Sequence, residues 1–185
     1  MHPVHLPGPR LALRELSPGD VDGVFAIYGS PAATHHLSFE PRTRDQVAAI
    51  MERSIASATV NPRSEYAVAV VERQGGQLVG FGRLATDPHQ QRGATFGFAL
   101  RPDVWGRGYG VETVRLLLSL GFDTLGLHRI WGARSPLNTA GAATMAAAGM
   151  VEEGRIREHV HKAGKWRDSI VHGILDREWR RAVAE

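Results

Sequence analysis

A chain of 185 residues, 43% of them hydrophobic, is long enough to bury one sizeable core without covalent staples. It has no cysteine, which excludes disulfides, thiolate metal sites and a thiol nucleophile. The formal charge of +3 is concentrated late in the chain, where Arg155–Arg181 holds eight Lys/Arg against four Asp/Glu; such a face meets an anionic ligand or is merely solvated, and no aromatic–basic interleaving marks an RNA-binding sheet. Arg10–Leu16, RLALREL, alternates apolar and polar residues and predicts a half-buried strand. Ser17 and Pro18 supply a cap and a first-turn proline for a helix to about Tyr28. GSPAATHHLSFEP reads as loop, and Thr43 with Gln46 forms a capping box for a second helix to about Ala58. Glu65–Glu72 and Leu78–Thr86 predict strands joined by the glycine turn RQGGQ, with Ala94–Leu100 a third. Val111, Val114, Leu118, Phe122 and Leu125 recur at helical spacing, so Gly110–Leu125 predicts an amphipathic helix. HRIWGAR reads as a strand, and Asn138–Ala148 as an alanine-rich helix stopped by Gly149. VEEGRIREHVHK and KWRDSIVHGIL predict a hairpin through a tight AGK turn, and a short polar helix ends the chain. No repeat or linker divides residues 1–185, so a single α/β domain is expected, built on one mixed, mostly antiparallel sheet flanked by helices. The first residues lack the apolar stretch of a secretory signal and no apolar run is long enough to span a membrane, so a cytoplasmic location is expected.

Residues 105–110, WGRGYG, concentrate glycine where a strand hands over to the amphipathic helix. Backbone N–H groups at such a junction point outward, and the helix dipole adds positive potential. A phosphate or pyrophosphate is the natural guest, with Gly106, Gly108 and Gly110 keeping side chains out of its way. The spacing G-x-G-x-G is not the dinucleotide fingerprint G-x-G-x-x-G, and a Walker loop needs a Gly-Lys-Ser/Thr that is absent.

Three segments in order, FGFALRPDVWGRGYGVETVRLLLSLGF, LGLHRIWGARSPLNTAG and REHVHKAGKWRDSIVHGIL, resemble the GNAT superfamily of N-acyltransferases. Within it they resemble the Rim-type branch, which acetylates ribosomal-protein N-termini. The superfamily's Q/R-x-x-G-x-G/A pattern is met with Trp105 in the first place and Gly108 and Gly110 in the fixed ones. The resemblance implies an acetyl-CoA or other acyl-CoA co-substrate and no metal. It assigns the pyrophosphate to the backbone of Arg107, Gly108, Tyr109, Gly110 and Val111, in a loop begun by Trp105 and Gly106. It lays the pantetheine arm along Phe98, Ala99 and Leu100, on a strand that splays, with a bulge, from its neighbour. The N–H of Phe98 or Ala99 becomes the oxyanion donor. Asn138 matches an asparagine that contacts the pantetheine or its thiol end; it also reads as an N-cap.

The catalytic side chains depart from the family pattern. A tyrosine acid, a serine and a glutamate of relatives are replaced by Met145, Gly141 and Thr95. The remaining base candidates are Glu158 and His159, on opposite faces of one strand, and His172, which also reads as a satisfied sheet histidine. His35, His36 and Glu40 lie in the loop that lines the acceptor site in relatives, and also read as plain surface. Asp168 reads as structural, and His159 with His161 lacks a third metal ligand. The expected activity is direct acetyl transfer to a primary amine, a protein N-terminus or a small molecule, by a monomer or homodimer that binds neither nucleic acid nor membrane. The alternative is an acyl-CoA-binding module without catalysis.

Overall fold

Leu11, Ala12 and Leu13 are all buried, so the first long strand is apolar on both faces rather than half-buried. The reason is its place in the sheet. The computed structural model describes residues 3–184, with side chains to residue 181. In it β2 (Leu11–Glu15) lies between β1 (His5–Pro7) and β3 (Glu65–Glu72), in an eight-stranded sheet. After β4 (Leu78–Thr86) and β5 (Gly93–Leu100) come β6 (Arg129–Arg134), β7 (Val151–Lys162) and β8 (Lys165–Leu175). The order across the sheet is β1-β2-β3-β4-β5-β6-β8-β7. Among the described residues only β5 and β6 pair in parallel. The sheet is therefore mixed and mostly antiparallel, as expected.

The helices are α1 (Val21–Tyr28), α2 (Pro31–Thr34), α3 (Arg44–Ser57), α4 (Tyr109–Ser119), α5 (Thr139–Ala147) and α6 (Asp176–Ala184). Strand alternation splits the interior in two. Ala12, Ala67, Ala69, Phe81 and Ala99 turn toward Val24 and Ile27 of α1 and Val47 and Met51 of α3. Leu11, Leu13, Val68, Val70 and Phe96 turn toward Val114, Leu117 and Leu118 of α4 and Met145 of α5. One sheet thus carries a core on each face.

Four local expectations are corrected. The prolines around His5–Pro7 conceal a three-residue strand. The loop after α1 contains the short helix α2, capped by Ser30, whose hydroxyl accepts from the Ala33 N–H. The predicted Gly110–Leu125 helix changes winding at Leu120–Thr124, where the Leu125 N–H reaches back five residues to the Leu120 carbonyl. That wider turn still buries Leu120 and Phe122. The β7–β8 hairpin closes through Ala163 (φ 51°) and Gly164 (φ 72°), a two-residue turn with both residues left-handed. Along β7, however, alternation fails. The register shifts between Ile156 and Val160, and Glu158 has φ 49°. A bulge there, not a regular strand, sets where Glu158 and His159 point.

Candidate functional site

The pairing of β5 with β6 stops after three residues, Gly93↔Arg129, Ala94↔Ile130 and Thr95↔Trp131. Beyond them β5 continues to Leu100, paired residue for residue with β4, while β6 follows β8. The two parallel strands part beyond the close contact of Phe96 with Gly132, leaving a gap flanked by Gly97–Leu100 and Ala133–Arg134. No bulge interrupts the short β5–β6 ladder; the register shift on this side of the sheet falls between β3 and β4, at Val70 and Val71.

Two bonds set the parity of the β4–β5 ladder. The Asp87 N–H donates to the Gly93 carbonyl and the Arg101 N–H to the Val79 carbonyl, each at 2.9 Å. Odd-numbered residues of β5 therefore turn their backbone polar groups to β4, and even-numbered ones turn theirs to the gap. Of the two expected oxyanion donors, the Phe98 N–H faces the gap and the Ala99 N–H faces Phe81 across the ladder. The Leu100 carbonyl, on the gap side, accepts from Trp105 Nε1 at 3.1 Å. Trp105 thereby folds the glycine loop back over the end of β5.

That loop owes its glycines to two different demands. Gly106 and Gly108 have φ of 77° and 75°, a conformation that costs other residues about 1–2 kcal/mol. Gly110 is helical and is needed for packing, since a Cβ there would stand 3.2 Å from Thr144 Cγ2 of α5. Gly108 caps α4, so the N–H groups of Tyr109, Gly110 and Val111 head the helix without intrahelical partners. They form a cradle for an anion, strengthened by the helix dipole.

The cradle is braced by residues that local sequence patterns miss. Glu112, 8% exposed on α4, accepts from the backbone N–H groups of Arg10 (2.7 Å) and Leu11 (2.8 Å) through one oxygen. Its other oxygen accepts from Arg10 Nε at 2.9 Å. Arg10 also donates to the Arg107 carbonyl at 2.8 Å and lies 4.9 Å over the Tyr109 ring. The Tyr109 hydroxyl donates to Glu72 at 2.7 Å. Burial alone would raise the Glu112 pKa, but the two N–H groups and the guanidinium outweigh it and hold it below the usual carboxylate range. Glu112 lies off the apolar stripe Val111, Val114, Leu118, Phe122 and Leu125, and its partners are about a hundred residues away, so no local pattern marked either.

Glu112→Ala strands two N–H groups, each worth roughly 1–3 kcal/mol, and is expected to cost about 2–4 kcal/mol in urea unfolding. Glu112→Gln keeps the shared oxygen and loses the ion pair, at about 1 kcal/mol. Because the folded pKa is depressed, this stabilisation is complete above the ordinary glutamate value of 4.5 and is lost as pH falls through the lowered one.

The other candidates separate. Asn138 stands at the start of α5, just past β6, and its Oδ1 accepts from the Gly141 N–H at 2.8 Å, so the capping role is realised. His172, 3% exposed, pairs with Gly132 on one side and Glu152 on the other. Its Nε2 accepts from Arg134 Nε at 3.0 Å. Burial, with Arg134 beside it, lowers its pKa. It is a sheet histidine enclosed behind β6. Glu158 is exposed on β7, the edge strand beyond β8, and its N–H donates to Asp168 at 2.8 Å. Asp168 also pairs with Arg155 at 2.6 Å, the structural role expected of it. Neither Glu158 nor His172 is brought to the gap. Met145, in the place of the relatives' tyrosine, is buried in the α4–α5 core.

His36 and Glu40 follow α2 on the opposite side of the sheet from the cradle. There the tip of the β7–β8 hairpin grips the loop, for Lys162 Nζ donates to the carbonyls of Thr34 (2.7 Å), His35 (3.1 Å) and Leu37 (3.2 Å). Burial and the nearby His35, Arg167 and Lys162 lower the pKa of His36. Among the described residues no cluster of three metal-binding side chains forms, and no helix is long and apolar enough to cross a membrane.

Comparison with known proteins gives this geometry a context. The family described as "Acetyltransferase (GNAT) domain" matches residues 10–151. A Bacillus subtilis (strain 168) protein named Uncharacterized N-acetyltransferase YoaA is 25% identical over 166 residues, covering 90% of this chain and 93% of its own. Among solved structures, the spermidine N-acetyltransferase of Vibrio cholerae in complex with CoA and spermine has a TM-score of 0.81 at 22% identity, over 94% of this chain and 99% of that one. The ribosomal-protein-S5-alanine acetyltransferase of Vibrio fischeri has a TM-score of 0.75 at 19% identity, over 95% and 98%.

Proposed function

The chain belongs to the acetyltransferase (GNAT) family, and from that membership we propose that it transfers an acetyl group from acetyl-CoA to a primary amine by direct attack, at the gap between β5 and β6. One observation carries the reading. The helix-capping cradle and the gap-facing Phe98 N–H lie at the two ends of one β5-to-α4 connection. The N–H groups of Tyr109, Gly110 and Val111 would hold the pyrophosphate, and the even-numbered backbone groups of β5 would pair with the pantetheine arm. When bound, acetyl-CoA supplies the acetyl group as a thioester open to nucleophilic attack.

The chain's own residues then do three things. The Phe98 N–H donates to the oxyanion that develops as the amine attacks, a fixed dipole aimed into the gap. Exposed Gly97 and Ala133, on the side facing α1 and α3, leave the amine a path in and its proton a path to water. Asn138, with Oδ1 committed to its cap, presents Nδ2 to the thiol end. No enzyme-bound thioester forms, because the chain has no cysteine.

The burial of Met145 and His172 favours a second reading, an acyl-CoA-binding module without turnover. Calorimetric titration with acetyl-CoA followed by thiol release against a panel of amines separates the two. Saturable one-to-one binding with thiol release supports the transferase, binding without release the module. No binding removes both.

Asn138→Asp keeps the cap and removes the Nδ2 donor; Asn138→Ala removes both and costs about 1 kcal/mol of stability. Turnover reduced about tenfold or more in Asn138→Asp, at unchanged melting temperature, is the expected outcome for a ligand contact. Full activity leaves Asn138 a cap alone.

A further inference from the structure

Resting on that reading, we propose that the acceptor amine carries a carboxylate and that Arg167 receives it at the mouth of the gap. Ile170 is the last residue of β8 paired with β6, opposite Arg134. Arg167 lies three residues further on, beyond the end of β6 at Arg134. Even-numbered Ile174 of β8 packs in the α4–α5 core, so odd-numbered Arg167 turns to the other face, the one that bears α1–α3 and the acceptor's proposed path. Its contacts agree: Nη1 donates to the carbonyls of His36 at 3.3 Å and Leu37 at 3.4 Å.

Those two bonds are long, and they are all Arg167 has among the described residues. Its Nε is buried without a partner, Nη2 makes no hydrogen bond, and no carboxylate lies within ion-pair distance. Arg42 shares a buried Nε without a partner but lies 5.1 Å over the Phe39 ring, and other arginines are held by acids. Arg10, Arg14, Arg63, Arg129, Arg134 and Arg155 each rest on an acid. Burial lowers the pKa of Arg167 with no acid opposing it, although a guanidinium stays charged throughout.

The surroundings add positive charge. Lys162 spends its three protons on the loop carbonyls and is not free for a ligand. Its nearest opposing charge, Glu40, is exposed. A half-buried cation without a counter-charge is costly, and an arriving carboxylate relieves that cost through the charge-assisted bonds that guanidinium groups favour. A polyamine tail meets repulsion at the same place.

The test is thiol release from acetyl-CoA with matched acceptors: 4-aminobutanoate and 6-aminohexanoate against their amides, the peptide amide Ala-Asp against Ala-Asn, and spermidine. The carboxylates are expected to show at least about tenfold higher kcat/KM, carried by KM. A preference confined to the aminoalkanoates marks a free amino acid as the source, and one for Ala-Asp marks a peptide. Arg167→Gln should remove the preference with kcat little changed, and Arg167→Lys should retain much of it. Acid and amide used equally, or spermidine used best, overturns the proposal and leaves acetyl transfer standing. If no amine turns over, the protein–CoA complex is titrated with the N-acetylated acids and amides. Tighter binding of the acids, lost in Arg167→Gln, upholds the carboxylate site while acetyl transfer fails. Equal binding, or none, overturns it.

Discussion

Gly108→Glu is expected to weaken acetyl-CoA binding at least about 100-fold, read by calorimetry, while the protein remains folded. Three effects add. The residue caps α4 at φ 75°, where a side chain other than that of glycine or asparagine is strained. The new side chain emerges at the residue that caps α4, its Cβ 3.4 Å from Arg10 Nη2. Its charge opposes a pyrophosphate in the field of the helix N-terminus. Gly108→Asn isolates bulk from charge, because asparagine tolerates the left-handed conformation. It should fall between wild type and the glutamate. Undiminished binding in Gly108→Glu would remove the cradle from the cofactor site.

Phe98→Pro is expected to lower kcat by about 100- to 1,000-fold, the usual cost of one oxyanion donor. Proline in the middle of a strand ordinarily breaks a ladder. At Phe98 it does not, since the parity of β5 sends that N–H into the gap. Phe98→Ala measures the loss of the ring, which stacks on Phe96 with centroids 6.3 Å apart, and should keep most of the rate. Ala99→Pro, one residue along, deletes a bond to β4 and should unfold the sheet. An active Phe98→Pro protein would move the oxyanion donor elsewhere. Acetyl-CoA affinity should change far less than kcat, because the cradle is separate.

What the sequence revealed and what it hid follow from range. The apolar runs Glu65–Glu72 and Leu78–Thr86 either side of the glycine turn RQGGQ, the capping box at Thr43, and the glycines of WGRGYG are local signals, and each led to the right element. The resemblance to a known family added the parting of two strands, which no periodicity carries. Hidden features were of two kinds. Some broke a period: the bulge that gives Glu158 a positive φ, the wide turn at Leu120–Thr124, and β1, too short to show one. Others joined distant residues. Arg10 with Glu112, and Lys162 with the loop after α2, are separated by about a hundred residues or more and cannot be read from either end. His172 shows the same limit. Its residue type promised proton chemistry, but its flanking strands placed Gly132, Glu152 and Arg134 around it and closed it in.

The gap between β5 and β6 lies in a sheet that has a separate core on each face. Under the proposed transfer this sets the traffic of the reaction. The cofactor docks from the α4 face and the amine from the face of α1–α3, so neither blocks the other's route. Either can arrive first and either product can leave first. Initial-rate plots against the two reactants should intersect, and a saturating amine should not inhibit by occupying the cofactor's door.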